Sequence, residues 1–191
     1  GFYVQANNAV VLKGAAVVAM QLEAFEAYER ALGLNPNDVD IALALSHAAS
    51  RLGMKDEALA LASYFAQTRP GDFTGISAQC TALLALGRVQ EAHDLAVQAL
   101  GDAPQEAERW QLAGKTARAS GGLEQAAQAL QEALRLKPND PRIQYDLAWT
   151  LADMGDLDPA LDGVEQALAQ PLDAETRATA AFLRATILLA K

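Results

Sequence analysis

The sequence predicts an all-α chain built as a stack of antiparallel helix hairpins. Three observations carry this. Half of the residues are hydrophobic (51%) while only 6% are aromatic, and the excess is alanine, which gives up almost no side-chain entropy in a helix. Pro36, Pro70, Pro104 and Pro138 stand at a constant interval of 34 residues, with Pro171 one residue early. Between these prolines, apolar residues recur with helical spacing, as in Leu123, Ala126, Ala127, Leu130, Ala133 and Leu134.

Each period has the same internal punctuation. Ala24, Ala58, Ala92, Ala126 and Ala160 keep the 34-residue step, and small residues in phase imply that two helices cross closely there. Five residues earlier stand Ala19, Gly53, Gly87, Gly121 and Gly155. Glycine at that place ends a helix in the left-handed conformation and starts a tight turn. The prolines close the second helix of each unit, because proline lacks an N–H and crowds the preceding turn. Asn37-Asp38 and Asn139-Asp140 follow two of them and can cap the next helix through side-chain oxygens.

In chain order, the first helices are expected near 5–18, 39–52, 73–86, 107–120 and 141–154, and their partners near 21–34, 55–68, 89–101, 123–136 and 157–169. A last helix follows near 174–189. The repeats run 5–38, 39–72, 73–106, 107–140 and 141–173, with a terminal helix over 174–190, and the expectation is a single array over 1–191.

These residues resemble the tetratricopeptide repeat, whose 34-residue pattern is W-x2-L-G-x2-Y, then A-x3-F, then P. The fourth repeat follows it best, through Trp110, Ala113, Gly114, Ala117, Ala126, Leu130 and Pro138. The first contributes Ala24, Tyr28, Ala31, Leu32 and Pro36, and the fifth Leu147, Ala148, Leu151, Ala160, Val164 and Ala167. Three places depart from the pattern. Leu12 and Ala19 replace glycines, Phe65 stands where the other repeats have Ala, and the fifth repeat is a residue short. The resemblance implies a right-handed superhelical solenoid with a concave groove, and a protein or peptide as partner.

In such a solenoid the second, fifth, ninth and twelfth positions of each first helix turn into the groove. These positions form one helical stripe. They are bland near the N-terminus and rich in the fourth and fifth repeats, where Gln111, Lys115, Arg118, Arg142, Tyr145 and Trp149 combine cationic donors with aromatic anchors. His47 is the corresponding residue of the second repeat. Arginine and aromatic side chains carry much of the energy at protein interfaces. Against that role, Trp149 can pack under the last helix beside Phe182, and Lys115 and Arg142 can pair with Glu108 and Asp146. The Lys, Asn and Arg set with which some relatives clamp a C-terminal carboxylate is not reproduced, since the asparagines are missing from the second to fifth repeats.

Other chemistries fit poorly. A net charge of −9 with no run of Lys or Arg argues against nucleic acid. Val10–Met20 is broken by Lys13 and Gly14 and is too short to span a bilayer. Gly114-Lys115-Thr116 ends like a phosphate loop but has Arg109 where the loop needs glycine. Gly75-Ile76-Ser77 lacks the closing glycine of a nucleophile elbow, which here is Gln79. His47 and His93 fall on different helices and are not expected to share a metal, and His93 is expected in solvent. Asp156, Asp158 and Asp162 lack the glycine and glutamate of a calcium loop. Cys80, the single cysteine, takes a place held by Ser46, Gly114 and Ala148, so a small buried side chain is expected. No catalytic residue, metal or cofactor is assigned. One cysteine fits a reducing compartment such as the cytoplasm and is compatible with the periplasm. The alanine-rich composition points to a bacterial source.

The expected function is a non-catalytic scaffold that holds a peptide or protein segment. One alternative is the substrate-recruiting part of a larger enzyme such as a transferase. Another is a self-assembling structural protein, suggested by apolar residues at both ends, Phe2, Tyr3 and Val4 and then Phe182, Leu183, Ile187, Leu188 and Leu189.

Overall fold

The computed structural model describes residues 2–191, with side chains over 17–174 and 176–191. The chain divides into two compact units, Gly1–Gly87 and Arg88–Lys191. The first contains α1 (Phe2–Leu34), α2 (Val39–Arg51), α3 (Lys55–Thr68) and α4 (Phe73–Ala85). The second contains α5 (Val89–Asp102), α6 (Ala107–Ala119), α7 (Leu123–Leu136), α8 (Pro141–Met154), α9 (Leu157–Leu168) and α10 (Ala174–Ala190). No strand occurs among the described residues.

Within each unit every helix packs on the next, and first helices also touch one another, α2 with α4, α6 with α8, and α8 with α10. Short turns make the hairpins antiparallel. After α2, α6 and α8, the amide of Met54, Gly122 or Asp156 donates back to the carbonyl of Ala49, Ala117 or Leu151, at 2.9 Å in each case. That bond needs a left-handed residue just before it, which Gly53, Gly121 and Gly155 supply with φ of 78°, 86° and 88°. At the other end, α1, α3, α5 and α7 stop two residues before their prolines and α9 stops three before Pro171. Asp38, Asp72, Asp140 and Asp173 then cap the following helices by accepting from their first free amides. Asn139 does not cap. It takes the left-handed conformation, with φ of 64°.

The cores are made of small residues in close contact. Ala58, Ala92, Ala126 and Ala160 are fully buried. A Cβ added at Gly114 of α6 would lie 2.6 Å from Leu130 Cγ and 3.2 Å from the Ala126 carbonyl oxygen of α7. At the same repeat position of α2, Ser46 Oγ donates to the Ala58 carbonyl at 2.8 Å. Phe65, out of pattern in sequence, is matched across the helix pair. Where other repeats set Ala133 against Ile143, or Ala99 against Arg109, the first unit sets Phe65 against Gly75, whose added Cβ would meet the Phe65 ring at 2.6 Å. Large and small have exchanged sides.

The first hairpin differs from expectation. Instead of helices near 5–18 and 21–34 joined at Ala19, α1 runs unbroken from Phe2 to Leu34. Two residues explain this. Ala19 replaces the turn glycine, and alanine favours continued helix. Leu12 occupies the repeat position of Ser46, Gly114 and Ala148, where the α6–α7 crossing leaves no room even for a Cβ. Ala24 is consequently exposed, unlike the four alanines in phase with it.

Candidate protein-binding face

In the second unit, α6, α8 and α10 lie side by side, so repeat positions five, nine and twelve of each come together. Arg118 of α6 reaches α8 in two ways. Its Nη1 donates to Asp153 Oδ2 at 2.9 Å, and its guanidinium carbon lies 5.1 Å from the centre of the Trp149 ring. Trp149 in turn meets the Tyr145 ring edge-on, 5.7 Å between centres at 85°. The Tyr145 hydroxyl bonds with the Thr179 side chain of α10, and burial is the larger influence, raising its pKa.

Both aromatic rings are half-buried and rest on a cluster that includes Ala148, Val164, Ala180, Leu183 and Ile187. Packing and display are therefore not alternatives for Trp149. One side of the ring covers this core, and another part lines an apolar cleft of about 220 Å³ with Ala152, Leu157, Phe182 and Ile187. Phe182 stands at its edge, 68% exposed.

Gln111 and Lys115 frame a buried acid. Gln111 Nε2 donates to Asp146 Oδ2 at 2.6 Å. Burial raises the Asp146 pKa, and the charge of Lys115 and the Gln111 bond oppose that only in part. Lys115 is exposed and, among the described residues, forms no ion pair within 4.0 Å. The pairings considered from sequence are not those found: Glu108 pairs with Lys137 at 3.2 Å, and Arg142 with Asp173 at 3.0 Å.

His47 lies in the first unit, exposed on α2 at the edge of clefts shared with Tyr28 and Arg51 and with Thr74 and Ser77. Partial burial of its ring, then the charge of Arg51, lowers its pKa. His93, expected in solvent, is half-buried, with Nδ1 3.3 Å from Thr116 Oγ1. Cys80 is buried and its thiol is pushed up to about 12 by burial, so it stays protonated. Among the described residues no group of three or more His, Cys, Asp or Glu side chains is placed to hold a metal ion.

Two members of this face, Asp146 and Phe182, were expected from sequence only as an ion-pair partner and a packing neighbour. Asp146 breaks a repeat position held by Ala44, Ala78 and Leu112, and a carboxylate in an apolar series is a readable signal. Phe182 takes position nine of the terminal helix, the place of Trp149, and extending the groove stripe by one helix would have found it.

Comparison with known proteins agrees with this architecture. The family described as TPR repeat matches residues 114–155. Protein FlbA of Caulobacter vibrioides is 33% identical over 164 residues, which cover 86% of this chain and 28% of FlbA. The chain thus spans little more than a quarter of that relative's length. A thermophilic TPR protein from Thermus thermophilus superposes with a TM-score of 0.76 at 26% identity, covering 97% of this chain and 98% of the other. YrrB, described as a TPR protein with an unusual peptide-binding site, superposes with a TM-score of 0.54 at 20% identity over 87% of this chain and 84% of its own. That last likeness concerns the fold alone. With hairpin, turn glycine, close alanine and stop proline in phase in the second and fourth repeats, the chain is a tetratricopeptide repeat protein.

Proposed function

We propose that the chain is a scaffold whose second unit grips a segment of another polypeptide on the face of α6, α8 and α10. Repeats of this family generally serve as protein-interaction scaffolds and are typically non-catalytic. The observation that carries the finer reading is the open apolar cleft between Trp149 and Phe182. A ring left 68% exposed beside an unfilled apolar cleft gains from covering. Arg118, Tyr145 and Trp149 are already held against one another, so little side-chain freedom is lost when a partner docks. The partner's contribution is a bulky apolar side chain. Lys115, exposed on α6 near Asp146, adds a cationic donor, and Gln111 and Arg142 are further polar contacts on the same face. His47 is a separate contact point on the first unit. The peptide-binding description of YrrB is in keeping with this use of the fold.

Selection of a displayed random-peptide library on the chain tests the reading. The expected binders carry a bulky apolar residue and lose binding to the Phe182→Ala variant, in which an exposed ring is removed without touching the core. Binders that ignore both Phe182→Ala and Lys115→Glu would place recognition elsewhere.

A further inference from the structure

We infer that two copies of the chain pair through α1, antiparallel, so that the first half of each α1 fills a cleft left open in the other copy. In the second unit, Ala126 and Leu130 of α7 are completely covered by α6. Their repeat equivalents on α1 are not covered. Ala24 is exposed and Tyr28 is 40% exposed. These two form one wall of a cleft of about 260 Å³ whose other wall is Ala44, Ala48 and Arg51 of α2, with Gln21 beside Ala24. This is the seat that the first helix of a hairpin occupies elsewhere in the chain.

The same molecule shows apolar residues on the helix that does not turn back. Because α1 does not turn back at Ala19, its first half runs on past the cleft. Val17 and Met20 there are 53% and 69% exposed. A seat without its helix, and a helix that does not fold back into it, are complementary between two chains.

The sequence of α1 supplies a register. Val10, Gly14, Val17, Gln21, Ala24 and Tyr28 recur at steps of four and three and so form one stripe. Antiparallel pairing centred on Ala19 sets Gly14 against Ala24, Val10 against Tyr28 and Val17 against Gln21. Gly14 against Ala24 repeats the small-on-small crossing of Gly114 with Ala126 and Ser46 with Ala58. A closed hairpin would have put Leu12 there instead. Pairing between chains is free of the turn and can shift by those two residues.

Charge chooses the occupant and its direction. Residues 2–20 carry Lys13 alone, whereas 21–34 carry Glu23, Glu26 and Glu29 against Arg30. An antiparallel copy sets the basic half against the acidic half, and a parallel one would set acidic against acidic.

Light scattering of the 191-residue chain over a concentration series tests this. The expected result is a twofold mass at high concentration that returns to the single-chain mass in Ala24→Glu, with helical circular dichroism unchanged because Ala24 is exposed in the single chain. Val17→Cys and Gln21→Cys variants, mixed and mildly oxidised, should form a disulfide-linked pair that neither gives alone. A single-chain mass at every concentration overturns the inference and assigns the cleft to a different partner. A doubled mass that survives Ala24→Glu, with no mixed crosslink, also overturns it, because the copies then meet elsewhere.

Discussion

Phe65 shows how one residue's size is decided by its neighbour on the next helix. It fills the space that Gly75 leaves, and the opposite arrangement, Ala133 with Ile143, serves in the second unit. Phe65→Ala should cost about 3–5 kcal/mol by opening a cavity. Adding Gly75→Ile should recover much of that in a denaturant-unfolding cycle, whereas Gly75→Ile alone should destabilise by overpacking. Asp146 makes the electrostatic case. Its folded pKa is raised by burial, so its charge at neutral pH opposes folding, and stability gained through it should rise as pH falls through that raised value. Asp146→Asn, which keeps an acceptor for Gln111, should be at least as stable at pH 7 and lack that rise; a large loss at pH 7 would mean that the charge itself is needed. From sequence, Tyr145, Trp149 and Arg118 were legible as a group because the stripe rule places them together. The stacking of Arg118 on Trp149 and the Asp153 and Asp173 pairings were not, since these join residues 31 or more apart on different helices.

At the scale of elements, punctuation decided nearly everything. Where a glycine, a proline and an aspartate all stood in phase, as around α8 and α9, helix ends fell within a residue of expectation. Where the glycine was absent, at Ala19, the turn was absent too. The sequence contained that warning, together with Leu12, but periodicity alone favoured a regular first repeat. The caps carry a pH signature. Asp173 accepts from the Thr176 amide and hydroxyl, and these bonds, then Arg142, lower its pKa to about 2. Its folded value lies below the unfolded one, so its stabilising effect is present above the ordinary carboxylate range and lost as pH falls toward 2. Asp173→Asn should lower the unfolding midpoint at pH 7, and the difference from the parent chain should vanish near pH 2. An equal difference at both pH values would assign the effect to shape rather than charge.

For the whole molecule, the 34-residue phase made the fold class readable before any coordinate, while the division at Gly87 left no mark in composition or spacing. Each hairpin buries its apolar face only against neighbours. On α10, Phe182, Leu188 and Leu189 are exposed. One of these, Phe182, sits on the edge of the cleft proposed for a partner. Calorimetric titration of a selected apolar peptide into the parent chain and into Phe182→Ala tests that proposal most directly. Binding to the variant is expected to be at least about tenfold weaker, corresponding to about 1.4 kcal/mol, with the thermal midpoint unchanged. Equal affinity for both proteins would contradict it.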